Sequence, residues 1–579
     1  MNGEKSNIYN ITEINNLKEL TNDFGTKYKN NIAFKYKKAT NTKETESNYV
    51  SITYNEFSSN INSLGTKLIN MGLKNKKIAI ISPNRYEWCV SYFAVVNGTG
   101  IVVPLDKSLP DNEIESSIIR SKVEAVIFDK SYSDIFTKIK NDGKSSLEFY
   151  ISMDSDINLE FALNFKDLVN DGNKLIDNGN KEYTDAEIDN EKMSIMLFTS
   201  GTTSMSKIVM LSHKNIASNI NSICRSLLIY PDDVMLSFLP LHHTFECSTT
   251  FLTGLHYGAC IAFCDGVKHI AKNMAEYKVS VFIVVPILLE SMYKKVMKGI
   301  ADSGKAKLVT SMSNLANFLL KFKIDVRKKV FSSVLNKLGG RLRLIVSGAA
   351  ALDKDTLIGF RNFGVTVFQG YGLTETSPVL AVENVNYMKA GSIGMPLYNV
   401  ELEIDNPGEN GIGEIKAKGP NVMLGYYENK EETDNVLKDG WFYTGDLGYI
   451  DDEGYTFITG RKKNVIVLKN GKNIFPEELE ALANNIPGVL ESIVYGKHDK
   501  DDDLLICIKI VYSEETMKEL YHDKEISEYK SILTNEIKKI NKNMPAYKYI
   551  RDIIVTNEPL IKTTTQKIKR HEEIAKILG

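Results

Sequence analysis

Short, continuously apolar runs alternate with stretches of helical spacing through most of this chain. Phe57, Ile61, Leu64 and Leu68 recur at three- and four-residue intervals, which predicts a helix over 54–71 closed by Gly72. Lys77-Ile78-Ala79-Ile80-Ile81 then reads as a buried strand, 87–96 as a second apolar helix ahead of Gly98 and Gly100, and Ile101-Val102-Val103-Pro104-Leu105 as another strand. A helix over 110–121 and a strand over 123–128 repeat the unit. Between 150 and 192 the pattern lapses into a polar, Asn- and Asp-rich stretch that reads as a connection. It resumes with a helix over 215–227 that Ser212 can cap, strands at 234–241, 259–263 and 281–285, and an apolar helix at 249–257. Strands at 342–349 and 365–368 continue it, short strands and Gly turns fill 392–458, and the residues beyond 464 carry a strand and helix pattern of their own.

Strands apolar along their whole length, interleaved with helices, argue for mostly parallel sheets covered on both faces. The expectation is an α/β protein. A large N-terminal domain of several subdomains, with a small β unit, occupies 1–460, and a small mobile α+β domain occupies 461–579.

Composition changes this picture little. At 579 residues the chain is too long for one core, and 71 basic against 73 acidic residues leave a net charge of −2. That balance gives the whole chain no drive toward nucleic acid or anionic membrane. The six cysteines are scattered, and the nearest pair, Cys260 and Cys264, lacks the spacing of a zinc knuckle, so reduced thiols and a cytoplasmic location are expected. The polar N-terminus shows no secretory pattern, and no apolar run reaches the length of a transmembrane helix. The exception to the even charge is 291–340, helical in spacing and basic through Lys305, Lys307, Lys321, Lys323, Arg327, Lys328, Lys329 and Lys337. It reads either as a solvated helical insertion or as a patch making peripheral contact with a membrane.

Candidate chemistry lies where predicted strands end, the usual place for ligands in α/β sheets. Phe198-Thr199-Ser200-Gly201-Thr202-Thr203-Ser204-Met205-Ser206-Lys207 joins two apolar runs. Its backbone N–H groups, hydroxyls and one ammonium suit a polyphosphate, though a Ser/Thr-rich surface turn would look the same. It is not a Walker A loop, because the second Gly is absent and Lys207 leads into a strand-like run. Gln369-Gly370-Tyr371-Gly372-Leu373-Thr374-Glu375-Thr376 sets a carboxylate beside two threonines, as Mg²⁺ coordination requires, or is a turn with an exposed Glu. Tyr443-Thr444-Gly445-Asp446 offers a turn carboxylate able to accept from a ribose diol, or an ordinary β-turn aspartate. His243 follows a strand and a Pro, and Lys567 lies in a basic tail; each alone reads as structural.

Together, in order and spacing, these segments resemble the acyl-adenylate-forming superfamily of acyl-CoA synthetases, peptide-synthetase adenylation domains and firefly luciferase. The resemblance runs from about residue 30 to 575 and includes Gly460-Arg461-Lys462-Lys463, similar to the hinge motif, and Gly471-Lys472-Asn473-Ile474-Phe475-Pro476-Glu477-Glu478 just after it. It implies a two-step reaction: a carboxylate attacks the α-phosphate of ATP, releasing pyrophosphate, and a thiol then displaces AMP. It further implies that Thr199, Ser200, Gly201, Thr202, Thr203 and Lys207 grip the β- and γ-phosphates, and that Thr374 contacts the α-phosphate while Glu375 holds Mg²⁺. Asp446 and Arg461 would hold the ribose; Gly348, Ala349, Gln369, Gly370 and Tyr371 would flank adenine. Lys567 would bridge carboxylate and α-phosphate, His243 would border the acyl site, and rotation near Lys463 would withdraw Lys567 and bring Gly471 to the thiol.

The segment Pro240-Leu241-His242-His243-Thr244-Phe245-Glu246 and the 291–340 insertion are most similar to long-chain fatty acyl-CoA synthetases. The chain departs from the superfamily pattern at Ser204 and Ser206, where Gly and Pro are usual, and at Gln566, where Gly is usual. The acid expected is a fatty acid, and the acceptor CoA or, alternatively, the phosphopantetheine of an acyl carrier protein. A catalytically silent acyl- or nucleotide-binding protein is the other class, disfavoured because Glu375 and Lys567 are both present. Pocket walls are expected from 242–247, Pro286 and the strand before Tyr371.

Overall fold

The strands Val234–Ser237, Cys260–Phe263, Val281–Val284 and Leu344–Ser347 are buried at every residue. Their alternating side chains feed two separate cores: Val281, Ile283, Leu344 and Val346 point into one, and Phe282, Val284 and Ile345 into the other. This computed structural model describes residues 3–38, 49–199, 206–468, 472–499, 504–522, 524–562 and 568–579.

Among the described residues two large sheets dominate. A nine-stranded sheet runs in the order Met395–Pro396, Val379–Val382, Thr366–Gly372, Leu344–Ser347, Val281–Val284, Val234–Ser237, Cys260–Phe263, Ile32–Lys37, Tyr49–Thr53. Its interior pairs are parallel and its edges antiparallel. An eight-stranded sheet runs Gly425–Tyr426, Ile208–Ser212, Met193–Phe198, Gly100–Pro104, Lys76–Ile81, Ala125–Phe128, Phe149–Ser152, Ala162–Asn164. Helices Tyr54–Asn70, Tyr86–Ala94 and His213–Ser226 share with inward-facing residues of both sheets the largest core. A five-stranded antiparallel unit built from Glu401–Asp405, Gly413–Lys418, Leu437–Lys438, Trp441–Ile450 and Thr456–Arg461 follows. Beyond it lies a smaller C-terminal domain with its own core. It holds the three-stranded sheet Val489–His498, Leu504–Tyr512, Ile550–Thr556 and helices Pro476–Asn484 and Ile526–Lys542. The mixed α/β organisation expected from the pattern is therefore present, with a large N-terminal domain and a smaller C-terminal one.

Local signals explain several boundaries. Ser212 and Asn215 form a reciprocal capping box at the start of His213–Ser226, and Thr53 and Glu56 do the same for Tyr54–Asn70. Two readings need correction. The stretch 150–192 is not merely a connection: it supplies most of the last two strands of the eight-stranded sheet and the helix Phe165–Asp177, which packs against Tyr54–Asn70. Phe165 and Leu168 of this helix enter the main core, and a Cβ at Gly172 would stand 1.8 Å from the Ser63 carbonyl oxygen, so the two helices also meet through a close backbone contact. Nor is 443–446 a turn. It lies inside the ten-residue strand Trp441–Ile450, where the register against Gly413–Lys418 shifts and Gly445 takes φ 73°. A bulge uses the same residue types as a turn, so the motif alone does not separate them.

Candidate active site

Four neighbouring strands of the nine-stranded sheet, Val281–Val284, Leu344–Ser347, Thr366–Gly372 and Val379–Val382, line one pocket, which encloses about 820 Å³ including space open to solvent. Its deep wall is apolar: Ile223 from helix His213–Ser226, Leu227 and Ile229 beyond it, and Val281, Ile283, Leu344 and Val346 from the sheet. Its polar lining comes from His243, Thr244, Thr249, Thr253, Tyr371 and Thr374, with the backbones of Gly348, Ala349 and Gly370. Gly348 is needed for this shape, since a Cβ there would lie 2.9 Å from the Phe245 ring. Ala349 beside it takes φ 72°, a left-handed conformation rare for a residue with a side chain. The apolar helix expected over 249–257 begins at Phe245, as a π-type segment Phe245–Leu252 followed by Thr253–His256, and so turns Thr249 and Thr253 into the wall. Pro286, expected in the wall, is buried at the start of helix Pro286–Asp302 and does not line the pocket.

Two hydrogen-bonded clusters extend from this pocket. In the first, the Tyr371 hydroxyl donates to Asp446 Oδ2 at 2.7 Å and Arg461 Nε donates to Oδ1 at 2.9 Å. Asp446 and Arg461 are opposite one another across the strand pair Trp441–Ile450 and Thr456–Arg461, which fixes their separation. Burial, reinforced by the Asp446 charge, raises the Tyr371 hydroxyl pKa well above the ordinary value, so it remains a donor. Lys463, two residues past Arg461, is pushed down to about 8 by burial and by the Arg461 charge. In the second cluster, the turn Thr374–Thr376 carries Glu375, whose Oε1 accepts from the Tyr426 hydroxyl at 2.9 Å. The Lys207 ammonium sits 4.7 Å from the centre of the Tyr426 ring and is ion-paired with Glu432.

Thr199 and Lys207 bracket the candidate phosphate loop: the Thr199 N–H donates to the Lys207 carbonyl at 2.9 Å. Ser200, Gly201, Thr202 and Thr203 between them lie outside the described residues, as do Gly471 and Lys567. Gln369 is buried; its N–H donates to Glu383 Oε2 at 3.0 Å, and its side-chain oxygen has no hydrogen-bond partner among the described residues. The His243 Nδ1 accepts from the Phe245 N–H at 3.3 Å, which orients the ring at the pocket. Thus His243, Gly348, Ala349, Gly370, Tyr371 and Thr374 share one pocket, Asp446 and Arg461 join it through Tyr371, and Lys207 approaches Glu375 through Tyr426. Sequence reasoning missed Tyr426, Glu432 and the apolar wall. A wall residue such as Ile223 reads as ordinary core, and nothing in the spacing of Tyr426 marks it as a partner of a residue 51 positions earlier.

The fold is that of adenylate-forming enzymes. The crystal structure of the anthranilate CoA ligase AuaEII in complex with anthranoyl-AMP superposes with a TM-score of 0.77 over 97% of both chains at 20% identity, which speaks for the fold alone. Residues 23–427 match the AMP-binding enzyme family model, and the chain belongs to that family. Long-chain-fatty-acid–CoA ligase 5 of Rattus norvegicus is 32% identical over 491 residues, covering 78% of this chain and 69% of that protein. Fatty acyl-CoA synthetase B of Dictyostelium discoideum is 28% identical over 542 residues, covering 87% and 77%.

Proposed function

We propose that this chain is an acid–thiol ligase: it activates a fatty acid with ATP to acyl-AMP, releasing pyrophosphate, and then transfers the acyl group to the thiol of CoA. The observation that carries this reading is the pocket itself, whose apolar wall of Ile223, Leu227, Val281, Ile283, Leu344 and Val346 leads to a polar mouth at His243, Tyr371 and Thr374. An apolar chain buried along that wall gains about 0.8 kcal/mol per CH₂ and holds its carboxylate at the mouth. The relatives described above, named as long-chain fatty acid ligases and synthetases, support the same acid class.

In the first half-reaction a carboxylate oxygen bonds to the α-phosphorus and the bond to pyrophosphate breaks. Thr374 would donate to the α-phosphate, Thr199 through Lys207 would hold the leaving pyrophosphate, Asp446 and Arg461 would fix the ribose, and Gly348, Ala349 and Gln369 to Tyr371 would flank adenine. Lys567 would neutralise charge between carboxylate and phosphate. Among the described residues no group of three or more His, Cys, Asp and Glu side chains could hold a metal ion. Glu375 fits Mg²⁺ nonetheless, because one carboxylate together with substrate phosphates is that ion's usual arrangement, and Tyr426 engages only Oε1. Bound there, the ion would offset phosphate charge.

In the second half-reaction the thiol sulfur bonds to the carbonyl carbon, AMP leaves and the thiol proton is released. The 461–579 unit would rotate about Lys463, withdrawing Lys567 and bringing Gly471 toward the thiol, with His243 gating its path. The six cysteines are free and no described helix is long and apolar enough to cross a membrane. We place the protein in the cytoplasm, with peripheral membrane contact through 291–340.

Pyrophosphate–ATP exchange measured across a panel of fatty acids tests the first step, and absence of acid-dependent exchange would overturn the reading. Product formation with CoA against a holo acyl carrier protein then identifies the acceptor: preference for the carrier protein would replace CoA by the carrier thiol.

A further inference from the structure

Helix Ala306–Leu320 buries only Ala316 completely, although most of its residues are apolar. Val309 and Met312 rest against the core on one side. Beside them Leu308, Leu315 and Phe318 point outward, followed by Phe322 and Ile324, and these five side chains are between 52% and 64% exposed. Leu308, Leu315 and Phe318 follow at intervals of seven and three, so they lie on one side of the helix. The Phe318 and Phe322 rings pack edge to face with centroids 5.3 Å apart, which makes a continuous ridge rather than isolated side chains. Large exposed apolar side chains grouped in this way mark a surface that meets a partner.

Charge decides which partner. Between 303 and 324 the chain holds Lys305, Lys307, Lys321 and Lys323 and no acidic residue, and Arg327, Lys328 and Lys329 follow at once. Asp325 is already paired with Arg327, Nη2 to Oδ2 at 2.7 Å. In a chain whose net charge is −2, this is a concentrated cationic rim around an apolar ridge. A second copy of the same face would set lysine rim against lysine rim. An anionic bilayer instead offers hydrocarbon to the ridge and headgroups to the lysines, whose stems can lie along the apolar surface while the ammoniums reach outward.

We propose that Leu308, Leu315, Phe318, Phe322 and Ile324 insert into the interface of an anionic lipid bilayer, with Lys305, Lys307, Lys321 and Lys323 contacting its headgroups. This rests on the peripheral contact put forward above and assigns it a surface, a depth and a lipid charge. The ridge would lie roughly 5–10 Å into the headgroup boundary, enough to hold the enzyme beside the phase in which a long-chain acid dissolves. Attachment is reversible and weakens as ionic strength rises.

Co-sedimentation of the full-length protein with vesicles of phosphatidylcholine alone, and with an equimolar mixture of phosphatidylcholine and phosphatidylglycerol, tests this. The wild-type protein should bind the mixed vesicles and fail to bind the neutral ones. Phe318→Gln with Phe322→Gln should weaken binding by about tenfold or more, and Lys321→Gln with Lys323→Gln by roughly five-fold per lysine. Phe318→Trp should show a blue-shifted emission only with mixed vesicles. All these side chains are exposed, so acid-dependent pyrophosphate release in the absence of vesicles should stay at the wild-type rate and confirm folding. Wild-type protein that binds neither vesicle overturns the peripheral contact as a whole. Unchanged binding by both double variants overturns this surface while leaving that contact standing. Lipid-free self-association of the wild type that the Phe318/Phe322 variant abolishes would assign the face to a second copy instead.

Discussion

Asp446 and Glu375 each accept a hydrogen bond from a tyrosine hydroxyl beside the same pocket, but the chain holds them differently. Asp446 is 4% exposed, sits inside a strand, and has Tyr371 on one oxygen and Arg461 on the other. Glu375 is half-buried, sits in a short turn, and has Tyr426 on Oε1. Two charge-assisted bonds from opposite sides fix the Asp446 carboxylate in position, and the lone-pair sites they leave suit the two hydroxyls of a ribose. A carboxylate held at one oxygen can turn its other toward a cation that arrives with the nucleotide. Glu246 supplies the contrast to both. It is completely buried with hydrogen bonds from Ser237 and Thr250 rather than a cation, and burial pushes its carboxyl up to about 8. One carboxyl type is thus held at both oxygens, held at one, or buried away from any cation, according to what faces it.

The largest effect is expected from a residue outside both clusters. Lys567→Ala should lower acid-dependent pyrophosphate release by about 10²–10³-fold while sparing transfer from preformed acyl-AMP to the thiol. Equal loss in both half-reactions would remove the domain rotation that separates them. Next, if Glu375 holds Mg²⁺ as proposed, Glu375→Gln should reduce kcat by about 100-fold and weaken the response to added Mg²⁺. Asp446→Asn should instead raise KM for ATP with a smaller change in kcat, because it removes a fixed binding contact. If steady-state kinetics of the two variants show the same signature, the distinction between fixed and adaptable carboxylates is broken. Tyr371→Phe and Tyr426→Phe sharpen it further: each deletes one hydrogen bond to a charged group, worth about 1.5–3 kcal/mol. The first should follow Asp446→Asn in KM and the second Glu375→Gln in its Mg²⁺ dependence.

The smallest effect concerns stability. With a folded value of about 8 against an ordinary 4.5, Glu246 keeps a proton in the folded chain that the unfolded chain has released. Its contribution to stability therefore falls as pH rises from about 4.5 to about 8. Thermal melts across that window should show Tm declining more steeply in the wild type than in Glu246→Gln. Parallel curves would mean that Glu246 is ionised in the folded protein.

Much of the scaffold was legible because its signals are local. A short β-branched apolar run such as Val281-Phe282-Ile283-Val284, closed by Pro286, reads as a strand covered on both faces, and Ser212 three residues before Asn215 announces a helix start. Helix Phe165–Asp177 was missed although Phe165, Leu168 and Val169 mark an apolar side, because that side is set in an Asn- and Asp-rich stretch and closes on Tyr54–Asn70 through Gly172, which adds no side chain to the pattern. The strand through Tyr443-Thr444-Gly445-Asp446 was misread for a related reason, since its bulge is built from turn-forming residues.

The sequence by itself determined the α/β alternation, the candidate loops at strand ends and the family to which their order points. It also exposed the basic, helical character of 291–340. Only the tertiary structure decided which residues meet. Tyr371 reaches Asp446 across 75 positions and Tyr426 reaches Glu375 across 51. The same packing gathers Ile223, Val281 and Leu344 into one pocket wall, while the ridge from Leu308 to Ile324 is left outside any core. The physical reason is range. Helical and strand periodicity report neighbours two to four residues away, whereas a site is assembled by sheet register and helix packing between segments whose spacing carries no record of one another.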